Sequence, residues 1–359
     1  MSINELYHNW YGRIFQLRTT KHKVHVANFT WLMIGLLESK SVHLSKVALA
    51  IRWCGTTKWS RVRRLTRLLA NPHIRVREWY ASVAQEWVGC QVAHLGAVRL
   101  IVDGTKIGFG HQLLMVALAT RRRAVPIAWT WVRAKRGHSS GYKQLALLSY
   151  VKSLLPDGVP VSLVGDAEFG VVPLMQHLEA WGWQYAFRQK GSHLIQLAGQ
   201  SHWQSCAELL THPGQTRWLP QTRLTAKHAY TTNLCAHWQC AEKAPWLLAT
   251  NFPTRRETLA HYRRRMWIEE MFGDFKRNGF DLERTHLRHF LALSRLTLAI
   301  ALLYTWLFAT GTYVVKAGLR YLVDRTDRRD LSLFRIGLDF ILYAFSVSLR
   351  FSFRLKPFL

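Results

Sequence analysis

The chain has 359 residues, with 49 Lys and Arg against 21 Asp and Glu, a formal charge of +28. Self-repulsion of that size is tolerated beside a polyanion, which puts nucleic acid first as a partner and an anionic membrane surface second. The five cysteines, Cys54, Cys90, Cys206, Cys235 and Cys240, are odd in number and scattered, which argues against a disulfide framework. The N-terminus lacks the basic and apolar segments of a secretory signal. A hydrophobic content of 49 % is enough to bury a large core, in two or three domains.

Residues 1–92 read as helical and basic, with 14 Lys and Arg against four Glu and no Asp. HLSKVALAIRWC, a break at Gly55-Thr-Thr and KWSRVRRLTRLLAN have helix-turn-helix spacing. On the second helix Val62, Leu65 and Leu69 share one side, while Arg63, Arg64 and Arg67 cluster opposite. That suits a helix packed on a core with its outer face toward DNA. An ordinary amphipathic helix with a solvated basic face looks the same, and both readings stay open.

From Gly96 the pattern changes. GAVRLIVDGTKI, HQLLMVALAT and AVPIAWTWVRA read as three strands joined by short turns. A helix (GYKQLALLSYVKSLLP), a strand (VPVSLVGDAEFG), a helix (VPLMQHLEAWG) and a strand (WQYAFRQKG) follow. Three antiparallel strands and then alternating helix and strand is the order of an RNase H-like α/β fold. Asp103 lies near the end of the first apolar strand and Asp166 closes VSLVGD, where a mixed sheet places its ligands. A lone Asp there is usually a turn or cap residue; two on strands that the fold makes neighbours are less ordinary.

Residues 191–245 are rich in Gln, Thr, His and Trp and read as a β-rich insertion. Cys235 and Cys240 lie near His228 and His237, but the C-x4-C spacing lacks a second ligand pair for zinc. Beyond it, Tyr262, Arg265, Glu269 and Lys276 read Y-x2-R-x3-E-x6-K. At about 100° per residue all four fall within roughly 60° of one helix face. The carboxylate there can hold a divalent metal while the cations neutralise phosphate. Glu270, one residue on, turns off that face, and Glu168 reads as a turn residue. Leu296 to Val315 is twenty residues without a charge, long enough to cross a bilayer. Its threonines, its glycine and its place directly after a helix that must meet water favour a buried central helix.

These motifs resemble the DDE transposases of bacterial insertion sequences, specifically the "family four" group named for its YREK signature, from about Ile101 to Phe345. IVDGTKI and LVGDAEFG look like that family's two aspartate regions, and Tyr262, Arg265, Glu269 and Lys276 complete its signature. The resemblance implies a catalytic, metal-binding triad of Asp103, Asp166 and Glu269 holding two Mg²⁺ or Mn²⁺ ions. It implies DNA contacts from Tyr262, Arg265 and Lys276, and from Arg188 and Lys190 in FRQKG. In PWLLATN it implies a Trp that stacks on a flipped base, Trp246, although a Trp opening an apolar strand is as readily core. The implied reaction is cut-and-paste transposition through a hairpin. It would act on double-stranded DNA, the terminal repeats and a target, as a homodimer in the bacterial cytoplasm. The implied organisation is a helical DNA-binding domain (1–92), a catalytic core (93–190 and 246–315) split by the insertion (191–245), and a helical tail (316–359). A nuclease that cuts without joining, or a catalytically inactive DNA-binding regulator, are the rival functions.

Overall fold

The computed structural model describes residues 2–17, 22–52, 55–133 and 139–358; Cys54 lies outside them. Five helices come first: α1 (Ile3–Leu17), α2 (Lys23–Ser39), α3 (Leu44–Ala50), α4 (Lys58–Ala70) and α5 (Val76–Leu95). α4 starts where the Thr57 hydroxyl accepts a hydrogen bond from the Ser60 amide at 3.2 Å, an N-cap that satisfies a free helix donor. Its buried side is Leu65, Leu68 and Leu69, with Val62 only half-buried. α5 runs through the expected boundary at residue 92 and stops at Gly96, whose φ of 64° suits a glycine C-cap.

The sheet opens with an antiparallel meander of β1 (Val98–Ile107), β2 (His111–Thr120) and β3 (Arg123–Arg133). After α6 (Gly141–Lys152), β4 (Val161–Gly165) joins parallel to β1, and after α7 (Val172–Ala180), β5 (Gln184–Arg188) joins parallel to β4. The order β3-β2-β1-β4-β5 is that of an RNase H-like fold. β2 and β4 are buried almost throughout, and β1 from Leu100 to Asp103, as strands covered on both faces are, which is why they read as continuous apolar runs.

The segment after β5 adds β6 (Leu194–Gln196), β7 (Gln204–Ser205), β8 (Thr216–Leu224) and β9 (Tyr230–His237) before β10 (Trp246–Thr250) returns antiparallel beside β5. β9 pairs with β10, so these strands extend the catalytic sheet to ten. The chain closes with α8 (Arg255–Tyr262), a 3-10 turn (Arg263–Arg265), α9 (Met266–Phe275), α10 (Phe290–Lys316) and α11 (Leu333–Ser346).

α10 is the helix the apolar run encodes, and every residue from Arg295 to Thr312 is buried. It is long and apolar enough to cross a membrane, yet 83 % of its most apolar stretch lies inside the fold, packed by β3, α2, α4, α5 and α11. Apolar residues all round are what such a central position requires. Its hydroxyls are satisfied within the core: Thr297 accepts from Trp131 Nε1 at 3.1 Å and Thr305 donates to the Ala301 carbonyl at 2.7 Å. The buried Arg295 guanidinium donates to the Leu69 and Ile74 carbonyls at 2.7 and 3.1 Å, fastening α10 to the end of α4. Gly311 and Gly337 mark the closest approach of α10 and α11, where a Cβ on either would run into the partner helix's backbone carbonyl.

Candidate functional site

β1 and β4 run parallel with Val102 opposite Gly165. The next residue on each chain is an aspartate, so Asp103 and Asp166 stand side by side at one edge of the central strands. Glycine at 165 fits because a Cβ there would press within 2.9 Å of Val102 Cγ1 and 3.0 Å of Phe169 Cδ2. The chain then turns sharply, the Glu168 amide donating to Asp166 Oδ1 at 2.9 Å. The Glu168 carboxylate is engaged elsewhere, accepting from the Ser139 amide and hydroxyl and from Gln112 Nε2.

Glu269 sits in the first turn of α9, which packs on β1 and β3. One guanidinium joins it to the first aspartate: Arg265 Nη1 lies 3.0 Å from Asp103 Oδ2 and Nη2 lies 2.5 Å from Glu269 Oε1. Glu270 points the other way, 3.6 Å from Arg123 on β3. Asp103 is only 7 % exposed. Burial pushes its carboxyl up to about 7; Arg265 opposes that shift, and the negative charges of Asp166 and Glu269 add to it.

These groups line a cleft of about 1100 Å³ that also takes in Tyr262, Lys276, Arg188 and Lys190. Tyr262 is buried, which raises its hydroxyl pKa and keeps it a neutral donor. Arg188 donates to the Pro245 carbonyl at 3.1 Å, Lys276 pairs with Glu283 at 2.7 Å, and Lys190 is exposed at the rim. As the side chains stand, no three His, Cys, Asp or Glu groups among the described residues already converge as a metal site. The three carboxylates therefore share a cleft without forming a closed ligand set, and the Arg265 side chain bridges two of them.

The helix expected to carry Tyr262, Arg265, Glu269 and Lys276 is divided by a short 3-10 turn. Tyr262 ends α8, Arg265 lies in the 3-10 turn, Glu269 is on α9, and Lys276 caps α9 with non-helical ψ of −124°. A 3-10 turn advances about 120° per residue instead of about 100°, so the three arginines add a rotation of about 60° and the four residues stay on one side of the helix. All four side chains line one cleft.

Trp246 is not on the cleft wall. It is half-buried, edge-on to Tyr262 at 5.1 Å and to His237 at 5.9 Å, behind the signature tyrosine. Trp238, just past β9, lines the cleft instead, as does the buried Gln189 beside Arg188. Neither carries a sequence signal that separates it from its neighbours: the chain has 16 Trp, and only the pairing of β9 with β10 brings Trp238 to the site. Arg63, Arg64 and Arg67 lie outside this cleft. They are exposed on α4 and border a separate groove of about 480 Å³ with Arg61, His25 and Asn28, between α2 and α4.

Residues 95–306 match the family described as "Transposase DDE domain". No curated protein matches the chain. Among solved structures it is similar to a piggyBac transposase synaptic complex with hairpin DNA, seen by cryo-electron microscopy. The identity is 10 % and the TM-score 0.43, over 97 % of this chain and 79 % of that one.

Proposed function

The chain belongs to the transposases with a DDE domain, whose family match covers more than half of it, and we propose that it cuts and joins DNA at the ends of an insertion sequence. The observation that carries this reading is the adjacency of Asp103 and Asp166 at the end of two paired parallel strands, with Glu269 facing them from α9. The donor set suits a hard divalent ion, since three carboxylates border one cleft. Asp103, Asp166 and Glu269 would hold Mg²⁺ or Mn²⁺, which when bound supplies Lewis acidity to the scissile phosphate.

The protein's own groups do the rest. Arg265, Arg188, Lys190 and Lys276 lend positive charge to strands passing through the cleft. The neutral Tyr262 hydroxyl donates to a phosphate oxygen. Stacking on an extruded base falls to Trp238, on the cleft wall, while Trp246 supports Tyr262 from behind. Arg63, Arg64 and Arg67 grip the duplex of the element end, and two copies bridge two ends. Hydrolysis and transesterification at one site need no nucleotide-binding loop, and the sequence has no G-x-x-x-x-G-K-[ST].

The test is incubation of the purified protein with Mg²⁺ and DNA carrying the element's terminal repeats beside a target plasmid. Cleavage followed by joining of the 3′ end is expected. D103N, D166N and E269Q should each lose cleavage by about a thousandfold or more, with end binding kept. Cleavage without joining would make the protein a nuclease; binding without any Mg²⁺-dependent cleavage would make it a regulator. Retained cleavage in E269Q with loss in E270Q would overturn the assignment of the third carboxylate.

A further inference from the structure

Arg265 stands where a phosphate-binding arginine has an unexpected second duty. Its guanidinium spans two carboxylates of the proposed triad, 3.0 Å from Asp103 Oδ2 and 2.5 Å from Glu269 Oε1. The planar fork can do this because its two terminal nitrogens donate in parallel. The side chain is 13 % exposed, so this positive charge is held in the wall of the cleft. Lys276, the other signature cation, is paired with Glu283 instead.

We propose that Arg265 competes with a divalent ion for Asp103 and Glu269, and that DNA phosphate, by drawing the guanidinium away, frees the carboxylates for the ion. The inference rests on the triad reading above. Two features make the exchange feasible. Glu269 is 46 % exposed, so its pairing with Arg265 is partly solvated and weak enough to exchange. Arg265 is also carried on the 3-10 turn between α8 and α9, where a change of backbone direction does not break a helix. A phosphodiester entering the cleft then offers the guanidinium a substitute anion, leaving two negative carboxylates whose mutual repulsion a divalent cation relieves. DNA and metal would bind cooperatively because one cation is moved from the second ligand's site to the first.

Binding of Mn²⁺ alone, followed by electron paramagnetic resonance of the free ion in chloride buffer, tests this without any turnover. R265Q should bind Mn²⁺ about tenfold more tightly than the unaltered protein when DNA is absent. R265K should fall between, since one ammonium cannot bridge both carboxylates. A short duplex should tighten Mn²⁺ binding in the unaltered protein and change it little in R265Q. If R265Q does not fold, as judged by circular dichroism, R265K carries the test with the same sign. Equal or weaker binding in the folded arginine variants, with D103N and E269Q losing Mn²⁺, would overturn the competition while leaving the triad intact. Mn²⁺ binding indifferent to D103N and E269Q would instead overturn the triad reading on which the proposal stands.

Discussion

Asp274 offers a test of the electrostatics beneath the catalytic helix. It lies on α9, is 6 % exposed, and its Oδ2 has no hydrogen-bond partner. Burial raises its pKa from 3.8 to about 7; Arg123 on β3 works against that, and Glu270 adds to it. A carboxyl with a raised folded pKa holds its proton more tightly in the folded chain than in the unfolded one. Its contribution to stability is therefore full below about pH 4 and is lost as pH rises to about 7. At about 1.4 kcal/mol per pH unit the span corresponds to about 4 kcal/mol at most, and relaxation around a buried group makes about 2–4 kcal/mol the expected range. Asn is nearly isosteric and does not titrate, so D274N removes this slope while the similar one from Asp103 remains in both proteins. Urea unfolding at pH 5 and pH 8, with chelator and without DNA, measures the difference. The unaltered protein should lose about 1–3 kcal/mol more between those pH values than D274N does. Parallel slopes would refute the reasoning, because Asp274 would then be ionised across the range and stabilised by Arg123 as an ordinary ion pair.

Three further outcomes follow from the packing and the basic groove. Changing Arg63, Arg64 and Arg67 together to Gln should weaken binding to element ends and lower the slope of log K against log salt by about 2–3, as read by filter binding across a salt series; an unchanged slope would return this face to plain solvation. Trp246→Ala should cost about 2–4 kcal/mol of stability and slow nicking and hairpin formation together, while Trp238→Ala should spare melting and nicking and slow the later step; calorimetry beside single-turnover rates separates them. Gly337→Ala drives a methyl into the Leu307 carbonyl and should cost about 3 kcal/mol, measured by chemical denaturation; a neutral effect would mean that α11 is free to move away from α10.

How much of this was readable in the residues varies with how local the cause is. β1 to β5 and their order follow from continuous apolar runs ending in turns, because burial on both faces leaves that trace in any sequence. Asp103 and Asp166 stand out for the same reason, as charges interrupting such runs. The 3-10 turn at Arg263–Arg265 leaves no trace in a helical projection, because it keeps the residues on either side of it nearly in register. Asp274 is read as one more charge in a mixed run, since its burial comes from β3 and α10, both distant in sequence. Leu68 is buried as well, on a helix that packs against α2 and α10, the latter remote in sequence. Trp238 reaches the cleft only through strand pairing between β9 and β10, and no spacing rule within either strand records it.

The central place of α10 bears on the order in which the chain can fold as it is synthesised. The helices before residue 96 and the meander that follows both lean on a segment that begins at Phe290. Tyr80 meets Thr305 at 3.1 Å and Trp10 packs edge-on against Trp306 at 5.5 Å. Until that segment leaves the ribosome, α2, α4, α5 and β3 have only one another and their other early neighbours to pack on, and lack the helix that joins them. Folding domain by domain from the N-terminus would therefore leave the early elements without their shared central helix. Their full burial waits for residues 290–316, in the last fifth of these 359 residues.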